Sequence, residues 1–134
     1  MTLDDIRFFP PRSTGPAVAV HPGRSLRMEL YVTASVAEVL LGQGRDARYI
    51  STERRIGPGC TPDLVSEPPE GPIEVWESKR DRPGRSGREQ CERYVYAAWD
   101  RWPGREVHVY LVWPTEPQEF PWRSADLTYE EVAW

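Results

Sequence analysis

The sequence predicts an α/β domain with a mixed four-stranded sheet flanked by helices, in the order α-β-β-β-α-β. Two stretches, 26–40 and 91–102, repeat apolar residues at helical spacing. Three short stretches rich in β-type residues and punctuated by proline and glycine lie between them. A fourth, 107–113, follows the second helix, and a helix between the third and fourth strands permits a parallel crossover.

Residues 1–24 carry Pro10, Pro11, Gly15, Pro16, Pro22 and Gly23 around a short apolar patch at 17–20. This composition suits an extended arm with one edge strand at most. Ser25 is placed to cap the first helix, along which Leu26, Leu30, Thr33, Ala37 and Leu40 share a face until Gly42 and Gly44. Residues 47–56 and 60–66 read as antiparallel strands joined at Gly57-Pro58-Gly59. The breaker between Pro68 and Pro72 leads into a third strand at 73–79, completing a meander. Residues 80–85, with three arginines, a proline and a glycine, form an exposed loop. Ser86 and Glu89 have capping-box spacing, and Cys91, Tyr94, Val95, Ala98 and Trp102 make the apolar stripe of the second helix, which ends at Pro103-Gly104. The run 107–113 is apolar enough for a strand covered on both faces. The tail, 114–134, is expected to close in a short helix at 124–134, with Trp122 and Trp134 packed on the body.

The 134 residues suit a single domain with its own core. Charged residues are 28% and hydrophobic ones 39%, and no apolar run approaches the ~20 residues of a membrane helix, so no membrane partner is expected. Residues 1–11 include Asp4 and Asp5 and no basic segment followed by an apolar one, which makes the cytoplasm the expected location. Cys60 and Cys91 are too few for a four-thiolate zinc site or an iron–sulfur cluster and read as buried thiols. His21 and His108 are not spaced as a ligand pair. The net charge of −4 argues against a protein that coats nucleic acid, although arginines gather between Lys79 and Arg105 while acids gather in the tail. Six tryptophans and the proline-rich arm leave room for a homodimer contact.

The chemistry centres on the third strand. Side chains alternate along a strand, so Ile73, Val75, Glu77 and Lys79 share one face, which begins apolar and ends in two opposite charges. Burying charge is costly without a partner or a metal. Asp63 falls on the neighbouring second strand, and two carboxylates on adjacent strands suit Mg²⁺, which takes one or two and leaves its other positions to water and phosphate oxygens. Lys79 would then sit beside the ion, placed to orient a water and offset charge at phosphorus. Glu29 offers a further carboxylate if the first helix begins near this edge; its simpler reading is a first-turn residue that complements the helix dipole. Gln90 and Tyr94, four apart, share a helix face behind the arginine loop. They are placed to approach a DNA backbone, with Gln90 in reach of the attacking water, and core packing is the alternative for Tyr94.

Gly59-x-x-Pro62-Asp63-Leu64, Glu77-x-Lys79, Pro83-Gly84-x-Ser86 and Gln90 together resemble the PD-(D/E)xK nuclease superfamily, most closely its virus-type replication–repair (VRR-NUC) nucleases. Gln90-x-x-x-Tyr94 is also similar to the motif of the lambda-exonuclease and RecB-like branch. The resemblance covers roughly residues 26–113. It implies a restriction-endonuclease-like core and a Mg²⁺- or Mn²⁺-dependent phosphodiesterase acting on DNA, as an endonuclease or structure-selective nuclease. By the same resemblance, Asp63 and Glu77 are metal ligands, Lys79 the catalytic lysine, Glu29 the acid of the first helix and Gln90 the helix glutamine. Arg80, Arg82, Arg85, Arg88 and Tyr94 are expected at the DNA. Two other readings stand beside this one: a catalytically silent nuclease-like fold that serves as a binding or assembly subunit, and an interaction protein in which Glu77 and Lys79 form a solvated surface pair.

Overall fold

A computed structural model of the chain describes residues 5, 7–8, 25–115 and 127–132. In chain order these form β1 (Arg7–Phe8), α1 (Ser25–Gly42), β2 (Ile50–Thr52), β3 (Leu64–Ser66), β4 (Ile73–Ser78), α2 (Arg85–Arg101), β5 (Val107–Pro114) and β6 (Leu127–Glu131). The strands lie side by side in that same order in one mixed sheet. β2, β3 and β4 form the expected antiparallel meander, β4 and β5 are parallel across the α2 crossover, and β6 returns antiparallel to β5. Among the described residues no helix is long and apolar enough to cross a membrane.

Strand alternation divides the core into two layers. Val65, Ile73, Val75, Val109 and Leu111 point to one side and pack with Cys91, Tyr94, Val95 and Ala98 of α2. Leu64, Trp76 and Val112 point to the other and pack with Val32, Val36, Ala37 and Leu40 of α1. The α2 stripe is buried as its spacing predicts. In α1 the buried run is continuous from Tyr31 to Ala37, wider than the single stripe expected. Thr33 and Ser35 remain in this buried turn by hydrogen-bonding back to the carbonyls of Glu29 and Tyr31, at 3.1 and 3.0 Å.

Several elements differ from expectation. The sheet gains β1 and β6, so it has six strands where four were predicted. Residues 127–131 form a strand because the exposed hydrogen-bonding edge of β5 accepts them, Val112 opposite Tyr129, and this pairing overrides the helical reading of the tail. β2 and β3 are three residues each, shorter than predicted. Ala47–Tyr49 is a 3₁₀ turn capped by Asp46, and the chain between the two strands closes on itself through Cys60 N–H to the Gly57 carbonyl at 3.0 Å. Gly59 there has φ +68°, a conformation that needs glycine. No capping box forms at α2: Gly84 occupies the cap position without a side-chain bond, and Glu89 instead pairs with Arg85 at 2.9 Å. β5 is not covered on both faces throughout, since His108 and Tyr110 are half-buried. The apolar patch at 17–20, His21, Trp122 and Trp134 lie outside the described residues.

Candidate active site

β3 and β4 pair with Leu64 opposite Trp76 and Val65 opposite Val75, which puts Asp63, just before β3, opposite Glu77. Both carboxyls therefore lie on the α2 side of the sheet, at the C-terminal end of β4. They come within hydrogen-bonding reach of one another. The Ser78 backbone N–H donates to Asp63 Oδ2 at 2.7 Å.

α2 supplies the rest. The Tyr94 hydroxyl donates to Glu77 Oε1 at 3.0 Å, the Gln90 amide Nε2 donates to the Tyr94 hydroxyl at 3.0 Å, and Lys79 Nζ donates to Gln90 Oε1 at 3.0 Å. Lys79 Nζ lies 3.6 Å from Glu77 Oε2, so the four side chains form a closed ring. Tyr94 is buried, its ring in the core and its hydroxyl bonded to Glu77 and Gln90, which fits the core-packing reading and leaves no face for the expected contact with a DNA backbone. Each end of the Gln90 amide makes one bond in the ring, so Gln90 links Lys79 to Tyr94.

This geometry depends on how closely α2 approaches the sheet. A Cβ at Gly87 would meet Pro83 Cβ at 3.0 Å, Lys79 Cε at 3.7 Å and Leu111 Cδ2 at 3.8 Å, so the absence of a side chain lets the first turn of α2 rest on the Lys79 stem. From the other face, the Thr33 and Ser78 hydroxyls are 2.6 Å apart and tie α1 to the end of β4. Sequence reasoning singled out neither pair. A glycine inside a helical stripe was the available signal for Gly87; the Thr33–Ser78 contact spans 45 positions and left none.

Electrostatics set the acids apart from ordinary surface carboxylates. Burial raises the Asp63 pKa well above the usual carboxylate range, the Glu77 charge raises it further, and the Ser78 N–H opposes the shift. Burial also raises Glu77, against the lowering effects of Lys79 and the Tyr94 and Asp63 hydrogen bonds. Burial pushes the neighbouring Cys91 thiol up to about 12 and raises the Tyr94 phenol, with the Glu77 charge second in each case. Both cysteines are buried and unbridged, as expected.

Glu29 is half-buried and sits one turn inside α1, so the first-turn dipole role does not apply. Burial raises its pKa, and Lys79 and Arg80 pull it down, placing it within electrostatic reach of the site. Among the described residues no three His, Cys, Asp or Glu side chains gather as an ion-binding group. The donor set is thus the Asp63–Glu77 pair. Two carboxyls that burial drives toward protonation, Asp63 further so by the Glu77 charge, fit a hard divalent cation, which takes one or two carboxylates and keeps several waters.

The arginines divide. Arg80 and Arg82 are exposed, Arg80 with its Nε 3.8 Å from Asp81 Oδ2, and they line a groove of about 730 Å³ together with Asp81, Trp113, Tyr129 and Glu130. Arg85 is committed to Glu89, and Arg88 forms a two-pronged pair with Glu130 at 2.8 and 2.9 Å. Comparison of the chain with protein-family models, with curated proteins and with solved structures gave no match in any of the three.

Proposed function

We propose that the chain is a metal-dependent DNA nuclease that hydrolyses phosphodiester bonds, as an endonuclease or structure-selective nuclease of the PD-(D/E)xK type. The observation that carries this reading is the convergence of Asp63, Glu77 and Lys79 at one end of β4, on one face of the sheet. Asp63 and Glu77 would hold Mg²⁺ or Mn²⁺. When bound, such an ion lowers the pKa of a coordinated water and offsets negative charge on phosphoryl oxygens. Tyr94 fixes Glu77 through its hydroxyl, and Gln90 holds the Lys79 ammonium at the site's edge, where it can position a water and meet charge developing on phosphorus. The exposed Arg80 and Arg82 supply backbone contacts for the strand.

The alternative, a silent nuclease-like fold used for binding or assembly, draws support from Arg85 and Arg88, which spend their charge within the molecule. The two readings separate on Lys79→Ala. A nuclease loses Mg²⁺- or Mn²⁺-dependent cleavage of plasmid and oligonucleotide DNA while keeping its fold and its DNA binding. Wild-type protein that cleaves no DNA with either metal defeats the enzymatic reading.

A further inference from the structure

The sheet face opposite the acid pair carries an opening that the proposed hydrolysis does not use. Where the cover of α1 ends, a cleft of about 270 Å³ lies over β4, β5 and β6. Trp76 and Tyr110, direct partners across β4 and β5, stack with centroids 4.4 Å apart and planes inclined by 27°. Tyr129 of β6 stands edge-on to both, at 5.6 and 5.8 Å, and is 62% exposed. Arg45 and the buried Glu74 line the same cleft as a two-pronged ion pair. Trp76 is 8% exposed, and its indole N–H has no acceptor among the described residues.

These features specify a ligand chemistry. Three clustered rings favour a planar π-system. Arg45 and Glu74 neutralise one another, so they offer donors and acceptors without calling for a charged ligand. The cleft has room for one bicyclic heterocycle. We infer that it is a nucleobase-binding site, in which the base stacks on the exposed Tyr129 ring and its polar edge meets the Arg45–Glu74 pair. The base can come from a free nucleoside or from an unstacked nucleotide of a strand; the recognising chemistry is the same. The inference does not depend on the nuclease reading.

Saturation-transfer NMR on the full chain, in EDTA so that no metal-dependent cleavage intrudes, tests it with guanosine, adenosine, cytidine and thymidine as probes. Transfer to base protons is expected, with binding weakened about tenfold in Tyr129→Ala, the scale of losing one stacking ring. Val39→Trp, at a half-buried position lining the cleft, should block the probes by filling it, and it decides the matter if Tyr129→Ala proves unstable. Lys79→Ala should bind as wild type, which separates this site from the acid pair. A short single-stranded oligodeoxynucleotide forms the second arm. Binding that Val39→Trp abolishes, without nucleoside binding, assigns the base to a strand. If neither nucleosides nor the oligonucleotide respond to Val39→Trp, the inference falls.

Discussion

Asp63 and Glu77 face each other across the β3–β4 ladder, with the Ser78 N–H on one carboxylate and the Tyr94 hydroxyl on the other. On the proposed reading this pair is the cation site, so Mn²⁺ should raise the thermal midpoint of the wild type. Saturation at a hundredfold excess over Kd adds about 2.7 kcal/mol, or several degrees. Asp63→Asn should show no such rise. Differential scanning calorimetry with and without Mn²⁺ makes the comparison, and equal shifts in both proteins would put the cation elsewhere.

Gly87→Ala sets two effects against each other. Alanine gains about 1 kcal/mol in helix propensity, whereas a methyl group 3.0 Å from the rigid Pro83 ring costs about 1–3 kcal/mol of overpacking. A net loss of stability is expected in urea denaturation. Because the same methyl group presses on the Lys79 stem, DNA cleavage should fall further than the loss of folded protein explains.

Thr33→Val keeps the shape of a buried side chain and removes one side of the 2.6 Å hydroxyl contact. With Ser78 Oγ left unpaired in the core, the cost should be about 1–3 kcal/mol. By contrast, Ser86→Ala should stay within about 0.5 kcal/mol, since Ser86 is exposed and caps nothing. A loss near 1 kcal/mol at Ser86 would restore the capping box that the structure lacks.

His108 offers a pH test away from the acids. Its contact with Glu131 raises its pKa above 6.5, with burial opposing and the nearby Glu106 and Glu74 charges adding to the rise. A base with a higher pKa when folded contributes stability that is complete below the unfolded pKa and is lost as pH rises through the folded one. Wild type should therefore exceed Glu131→Gln near about pH 5.5, and the two should converge near about pH 9. The partly exposed pair keeps this difference below about 1 kcal/mol. Stability curves that separate as pH rises would contradict the assignment.

The order of helices and central strands was legible because periodicity and proline–glycine punctuation are local signals, as the α2 stripe at Cys91, Tyr94 and Ala98 illustrates. The shared face of Asp63 and Glu77 was legible for a related reason, since a hairpin's register follows from its alternation. The β6 strand was not, because whether residues 127–131 coil or extend depends on the free edge of a strand that ends before them. Nor could spacing show that Gln90 spends both ends of its amide on Lys79 and Tyr94, because that ring closes only when α2 docks.

The parallel pairing of β4 with β5 has a kinetic consequence. Ile73 must find Val107 across the whole of α2, whereas Asp63 meets Glu77 across a short hairpin. Contacts between near neighbours in sequence close at lower entropic cost than distant ones. During folding the two acids can thus meet while Lys79 still lacks its glutamine clamp, so a half-assembled centre precedes the finished one. Freeze-quench or pulse-labelling work should find amides of the β3–β4 hairpin protected before those that join β4 to β5.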